Sequence, residues 1–222
     1  MTQEVKILSI IGIATLLLLI GGVFFLSAKQ PKGVTDPKGQ TVYHIDYSKG
    51  EKIGTDSAKV KLVEFGDLQC PACKAYEPSV EQIRNKQKDN PNFQLIWRHF
   101  PLYPTPHKYA KIAAEAVEEA NTQGKFWQLH DKIFATQDEW TALADDNKIT
   151  DYFVNLATGL GIDGNKVRDA IKNNTYEDKI MADKDEGGKV GVNSTPSFYL
   201  NGKKLILNNL TDLATEVENA LK

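Results

Sequence analysis

The chain is short of cysteine, with two among its 222 residues, and both fall within "GDLQCPACKAYEP" (66–78). A bridge between Cys70 and Cys73 would close a four-residue loop, and so small a loop stabilises a fold by only about 2 kcal/mol. Basic excess is also missing. The formal net charge is −2, so nothing in the balance argues for nucleic acid, and no long run of like charge suggests a disordered interaction tail. No glycine-rich phosphate loop is present, so no organic cofactor is implied. No internal repeat is visible. Residues 7–27, "ILSIIGIATLLLLIGGVFFLS", contain no charge at all.

That uncharged stretch is long enough to matter. About 20 apolar residues, rising 1.5 Å each, span the roughly 30 Å hydrocarbon core of a bilayer. A cleaved signal peptide is the competing reading, but its apolar region runs about 7–15 residues and ends at a small-x-small site. Leu26-Ser27-Ala28 is a poor version of such a site, so the expectation is an uncleaved anchor after a short tail, 1–6. No cysteine lies nearby, which excludes lipid attachment through an N-terminal cysteine. Lys29, Lys32 and Lys38 follow the span and only Lys6 precedes it. Counted simply, that bias favours the C-terminal side as cytoplasmic, or at best decides nothing.

Beyond the span, "AKQPKGVTDPKGQT" (28–41) has proline, glycine and lysine without periodicity, and reads as a tether. The linker is expected over 28–55 and the folded domain over 56–222. "VKLVEFGD" (60–67) is a buried-strand candidate and "NFQLIWRHF" (92–100) a second. Between them Tyr76, Val80 and Ile83 recur at helical spacing, with Pro78 expected to kink that helix. From about 107 to 186 the pattern is all helical. Tyr109, Ile112, Ala113, Ala116, Val117 and Ala120 mark an amphipathic helix. Phe126, Leu129, Ile133 and Phe134 suggest a second, Thr150 is a candidate N-cap of a third, and Val167, Ala170 and Ile171 suggest a fourth. "SFYLNGKKLIL" (197–207) reads as a hairpin around Asn201-Gly202, and 210–222 as a closing helix.

Three readings of Cys70-Pro71-Ala72-Cys73 compete. A structural zinc takes four ligands, usually as two knuckles. Here one knuckle faces only His44, His99, His107 and His130, at spacings unlike H-x₃₋₅-H, so no metal is expected. A staple contributes little, as above. Chemistry fits better. Cys70 lies where a buried strand hands over to a helix, whose unpaired N–H groups and dipole stabilise a thiolate. Pro71 suits a first helical turn because it has no N–H to leave unpaired. Cys73, one turn further in, would be shielded. An exposed attacking thiolate and a buried resolving neighbour are what thiol–disulfide exchange requires.

"GVNSTPSFYLNG" (191–202) places Pro196 after Thr195 at the mouth of a strand. That bond could be cis, or an ordinary trans proline could open an edge strand.

On "VEFGDLQCPACKAYEP" and "STPSFYLNG", with an all-helical block between them, the chain resembles the DsbA-like thiol–disulfide oxidoreductases of the thioredoxin superfamily over about 56–222. The resemblance implies an α/β thioredoxin fold with an inserted helical domain, here preceded by a transmembrane helix. It implies that Cys70 attacks, Cys73 resolves, and Thr195-Pro196 form a cis-proline loop whose backbone pairs with a substrate peptide. Pro71 and Ala72 would tune the pair. Glu64, six residues before Cys70, falls where relatives carry a buried acid that moves protons for the resolving cysteine. A carboxyl in an apolar strand should have a raised pKa; the alternative is a solvent-facing strand residue.

One departure concerns Ala72, since strongly oxidising relatives carry histidine there. A pair less oxidising than DsbA at about −120 mV is therefore expected, nearer the −180 mV of protein disulfide isomerase. The function expected is a membrane-anchored catalyst that introduces disulfides into exported, cysteine-containing proteins and is reoxidised by a membrane redox partner. Its domain would lie outside the cytoplasm, where oxidised dithiols persist; large domains cross largely regardless of flanking charge. A reductase or isomerase, or a non-catalytic peptide-binding module, are the alternatives.

Overall fold

Val60–Gly66 is buried on both faces, with Lys61 alone partly exposed, the pattern of a central strand covered by helices on each side. It forms the middle of a seven-stranded sheet. The computed structural model describes residues 33–37 and 39–222, and Gly33–Lys222 make one compact unit. The expected anchor, 7–27, lies outside the described residues. Among those described, no helix is long and apolar enough to cross a membrane.

Along the chain come β1 (Gly33–Thr35), β2 (Thr41–Tyr43), β3 (Glu51–Gly54), β4 (Val60–Gly66), α1 (Pro71–Gln87) and β5 (Phe93–His99). Five insertion helices follow: α2 (Ala110–Thr122), α3 (Phe126–Ala135), α4 (Gln137–Thr141), α5 (Asp146–Gly159) and α6 (Gly164–Asn173). Then α7 (Glu177–Lys189) leads back to β6 (Ser197–Leu200), β7 (Lys203–Lys204) and α8 (Asp212–Ala220). The sheet order is β1-β2-β7-β6-β4-β5-β3. β4 runs parallel to β5 and antiparallel to β6. This is a thioredoxin-like α/β fold with a helical insertion, as the sequence led us to expect.

The expected linker 28–55 needs correction, because β1, β2 and β3 all come from it and join the sheet. β3 pairs with β5 from Glu51↔Trp97 to Gly54↔Gln94. These strands have three or four residues and no fully buried position, so they carry too little alternation to register as β in sequence. The helix for which Thr150 was the candidate N-cap, α5, is also capped differently. Asp145 is its N-cap and accepts from the Lys148 N–H at 2.9 Å, while Thr150 lies inside and donates to the Asp146 carbonyl. α1 runs on through Pro78. The hairpin turn falls at Asn201 and Gly202, with φ of 50° and 80°, the left-handed pair a two-residue turn demands.

Even-numbered residues of β4 face α1 and α8, where Val60 and Leu62 pack with Val80, Ile83, Leu213 and Val217. Odd-numbered Val63 and Phe65 face the other side with Ile96, Tyr199 and Val190. A third core fills the helical insertion and continues to both cysteines through Leu68 and Trp97. Trp97 and Trp140 are fully buried core residues. Gly66 is required where it stands, because a Cβ there would lie 2.2 Å from the Trp97 ring. On the opposite face, Arg98 donates from Nε to Asp183 and from Nη2 to Glu186, each at 2.6 Å, fastening α7 to β5.

Candidate active site

The chain leaves β4 at Gly66, turns through Asp67–Gln69 and enters α1 with Cys70 as its N-cap and Pro71 in its first turn. The turn is closed by the Cys70 N–H donating to the Asp67 carbonyl at 3.0 Å. Cys70 makes no side-chain cap bond. Both cysteines are free thiols. Cys70 is 5 % exposed, less open than the sequence reading expected, and Cys73 is deeper still, at 1 %.

The sequence left two points open here. The Thr195–Pro196 bond is cis. Its loop meets the first cysteine: Cys70 Sγ donates to the Thr195 carbonyl at 3.3 Å across 125 residues of sequence. Glu64 is buried rather than solvent-facing, 2 % exposed, and its Oε2 has no hydrogen-bond partner. It sits between Trp97 of β5 and Phe198 of β6 on the sheet face that α1 covers. Cys70, Cys73, Glu64, Thr195 and Pro196 thus come together, and Pro71 and Ala72 lie exposed between the cysteines. Neither cysteine belongs to the cluster of potential metal-ligating side chains found among the described residues, Glu77, His130 and Asp131.

The two thiols are pulled in opposite directions. Cys70 is lowered to about 6, chiefly by the hydrogen bond from Cys73. Burial works against that shift, while Thr195 and the backbone N–H groups of Cys73 and Ala72 add to it. The Thr195 hydroxyl is buried with no hydrogen-bond partner. Cys73 is raised well above the ordinary thiol range by burial first, then by its bond to Cys70 and by the Glu64 charge. Glu64 is itself raised to about 8, by burial and then by the Cys70 charge. A nucleophile ionised at neutral pH therefore lies in front of a thiol that stays protonated, with a carboxyl able to exchange protons behind both.

Several residues that hold this arrangement were missed or undervalued in sequence. Asp67 ties the turn to the chain beyond β5. Its Oδ1 accepts from the Gln69 N–H at 2.7 Å, and its Oδ2 accepts from the Leu102 N–H at 2.8 Å and from His107 Nδ1 at 2.7 Å. The Asp67 carboxylate also raises the His107 pKa. Gln69 Oε1 accepts from the Tyr109 N–H at 2.7 Å, and Gln137 Nε2 donates to the carbonyls of Leu68 and Cys70 at 2.9 and 3.1 Å. Apart from the Asp67–Gln69 bond within the turn, they span 35 to 69 positions, so no local pattern could announce them. His130 is a packed helix residue among Trp97, Phe126, Trp127 and Phe134. His99 ends β5, is buried, and its Nε2 lies 3.0 Å from Glu118 Oε1.

A family model described as thioredoxin matches residues 48–219. The chain is 32% identical over 190 residues to a protein named Na(+)/H(+) antiporter NhaA 1 from Salinispora arenicola, covering 82% of this chain and 27% of that one. It spans about a quarter of the length of the first curated relatives it matches. Over most of both chains it is 26% identical to the probable disulfide bond formation protein D of Bacillus anthracis, covering 90% of this chain and 89% of that one. In fold it is similar to oxidised BdbD from Bacillus subtilis, with a TM-score of 0.64 and 24% identity over 85% of this chain and 96% of that one. It is also similar to α-DsbA1 from Wolbachia pipientis, with a TM-score of 0.65 and 20% identity over 79% and 92%.

Proposed function

This chain belongs to the thioredoxin family and is DsbA-like in fold, and we propose that it introduces disulfides into exported proteins through Cys70 and Cys73. The observation that carries the reading is the opposed shift of the two thiols, Cys70 to about 6 and Cys73 well above the ordinary range.

In the oxidised protein a substrate thiolate attacks Cys70 Sγ. The Cys70–Cys73 bond breaks, Cys73 departs as a thiolate and takes a proton, and Glu64 is the carboxyl placed to give it. A second substrate thiolate then attacks its own partner in the mixed disulfide. The substrate leaves oxidised by two electrons, and Cys70 is released as a thiolate, the form its lowered pKa favours at pH 7. The Thr195-Pro196 loop presents backbone to an extended substrate segment beside Cys70, in the manner of an added strand. A membrane redox partner reoxidises the pair. Residues 7–27 anchor the chain, and the domain works outside the cytoplasm, where a dithiol catalyst can remain oxidised.

Ala72 favours a second reading. With no charged or hydrogen-bonding side chain at that position, the reduced thiolate loses one source of stabilisation, which makes a reductase or isomerase the alternative direction of flow. The test is oxidation of a dithiol peptide by the oxidised chain, alongside reduction of a disulfide protein by the reduced chain. We expect the first reaction to be the faster and Cys70→Ser to abolish both. A chain that carried out neither reaction, yet kept its peptide clients after Cys70→Ser, would leave only the peptide-binding reading.

A further inference from the structure

Asp67 puts an anion where an anion is unwelcome. Its side chain is fully buried, and it stands on the turn before Cys70, whose N–H donates to the Asp67 carbonyl at 3.0 Å. A carboxylate beside the nucleophile opposes the thiolate on which exchange depends, and a buried charge is costly unless a cation compensates it. One does. His107 Nδ1 lies 2.7 Å from Asp67 Oδ2, and among the described residues it is the one cation paired with that carboxylate. The imidazole comes from the loop between β5 and α2 and keeps a side-chain exposure of 15 %. From the same loop the Leu102 N–H reaches the same oxygen at 2.8 Å. Between the cysteines there is no positive charge, only Pro71 and Ala72. Lys74, the first cation along α1, is taken up by Asp138 at 2.7 Å.

We propose that His107 is a positioning residue for Cys70: clamped by Asp67 on the turn that carries the nucleophile, its imidazolium offsets the Asp67 carboxylate and favours the Cys70 thiolate, the positive charge that Ala72 does not supply. The inference rests on the thiol-exchange reading above.

The charges acting on His107 agree with this arrangement. Its bond to Asp67 raises its pKa, and the Asp67 and Cys70 charges act in the same direction, with burial opposing them. Its neighbour Lys108 is exposed and paired with Asp146 at 2.8 Å. Coupling between two sites is reciprocal, so a thiolate that holds the proton on His107 is itself held by the imidazolium. The oxidised pair carries no charge at Cys70, and the coupling then exists only in the reduced protein. Stabilising the reduced form makes the disulfide the better oxidant. A proton bound at His107 thereby becomes part of the driving force for giving the disulfide away, and that part is lost as pH rises through the His107 titration.

The test is an NMR titration of the full chain that follows the His107 ring protons in the oxidised and the reduced protein, with His107→Gln identifying the signal. The midpoint should move up by about half a unit or more on reduction, the effect of two unit charges roughly 10 Å apart at an effective dielectric of about 20, screened by salt. Equal midpoints overturn the proposal, because a bond that only braces the turn does not sense the charge on Cys70. Half a unit is about threefold in the exchange equilibrium with glutathione, so His107→Gln should make the pair less oxidising by about 15 mV or more. An unchanged or more oxidising pair also overturns it. A wild-type pair that does not exchange with glutathione at all overturns the thiol-exchange reading as well.

Discussion

Glu64→Gln should stabilise the reduced protein at pH 7 while leaving it nearly unchanged at pH 4. The carboxyl titrates near 8 in the fold against an ordinary 4.5, because burial disfavours its charge and the Cys70 thiolate adds to that. Between those values the folded chain holds a proton that the unfolded chain has released. Stability therefore falls as pH rises through that window, and the loss is complete above the folded value. At pH 7 the window spans 7 − 4.5 = 2.5 units, or about 3 kcal/mol at the usual conversion. That figure is an upper limit, because an ionised carboxyl in a relaxed interior meets a higher effective dielectric than a dry one. Glutamine has nearly the same shape and no charge to desolvate, so this dependence vanishes in the variant. Urea unfolding at pH 4, 7 and 8.5, with unchanged m-values, reads the difference directly. The expected gain over wild type is near zero at pH 4, between about 1 and 3 kcal/mol at pH 7, and no smaller at pH 8.5. A difference that stays constant across the three pH values would refute the assignment of Glu64 as a buried, protonated carboxyl.

Other perturbations reach different parts of the structure. Thiolate absorbance should show Cys70 titrating near 6, and Cys73→Ala should raise it by removing the strongest stabilising bond; an ordinary thiol titration in the wild type would contradict the site geometry. Ala72→His should make the pair more oxidising by about 30 mV or more, measured against glutathione, since a charged donor favours the reduced thiolate. Arg98→Met should cost about 3–5 kcal/mol in urea unfolding, because it leaves Asp183 buried without its cation; a loss below about 1 kcal/mol would mean the pair is not closed off from water. Gly66→Ala should lower stability by about 1–3 kcal/mol, as the Trp97 ring must move to admit the methyl group.

What the sequence made legible, and what it hid, follows from the range of each interaction. The central strand, the helix after it and the Asn201-Gly202 turn rest on local patterns, and each formed where those patterns placed it. Glu64 was ambiguous because strand periodicity gives two faces without saying whether either meets water; with helices on both sides, both faces of β4 are buried. β1 and β2 escaped notice because they are exposed or half-buried and gain their hydrogen bonds from strands across the sheet, such as the single Val42↔Lys203 pairing. Thr150 resembled an N-cap, but Asp145 lay one turn earlier with the stronger cap and took the helix start. The bonds from Asp67 to His107 and from Gln137 to the Cys70 carbonyl join separate parts of the chain. Residues of those types at those positions look like any surface polar group until the fold brings them together.

The central claim is that Cys70 and Cys73 form a disulfide that the protein gives away. The most direct measurement is the equilibrium reduction potential of the pair in the folded domain, Gly33–Lys222, titrated against glutathione. The lowered Cys70 and the protonated Cys73 behind it lead to an expected value between about −120 and −200 mV, in the range of disulfide donors. A value near about −270 mV or below would place the pair with reductases or structural bridges, and would contradict the proposed direction of electron flow.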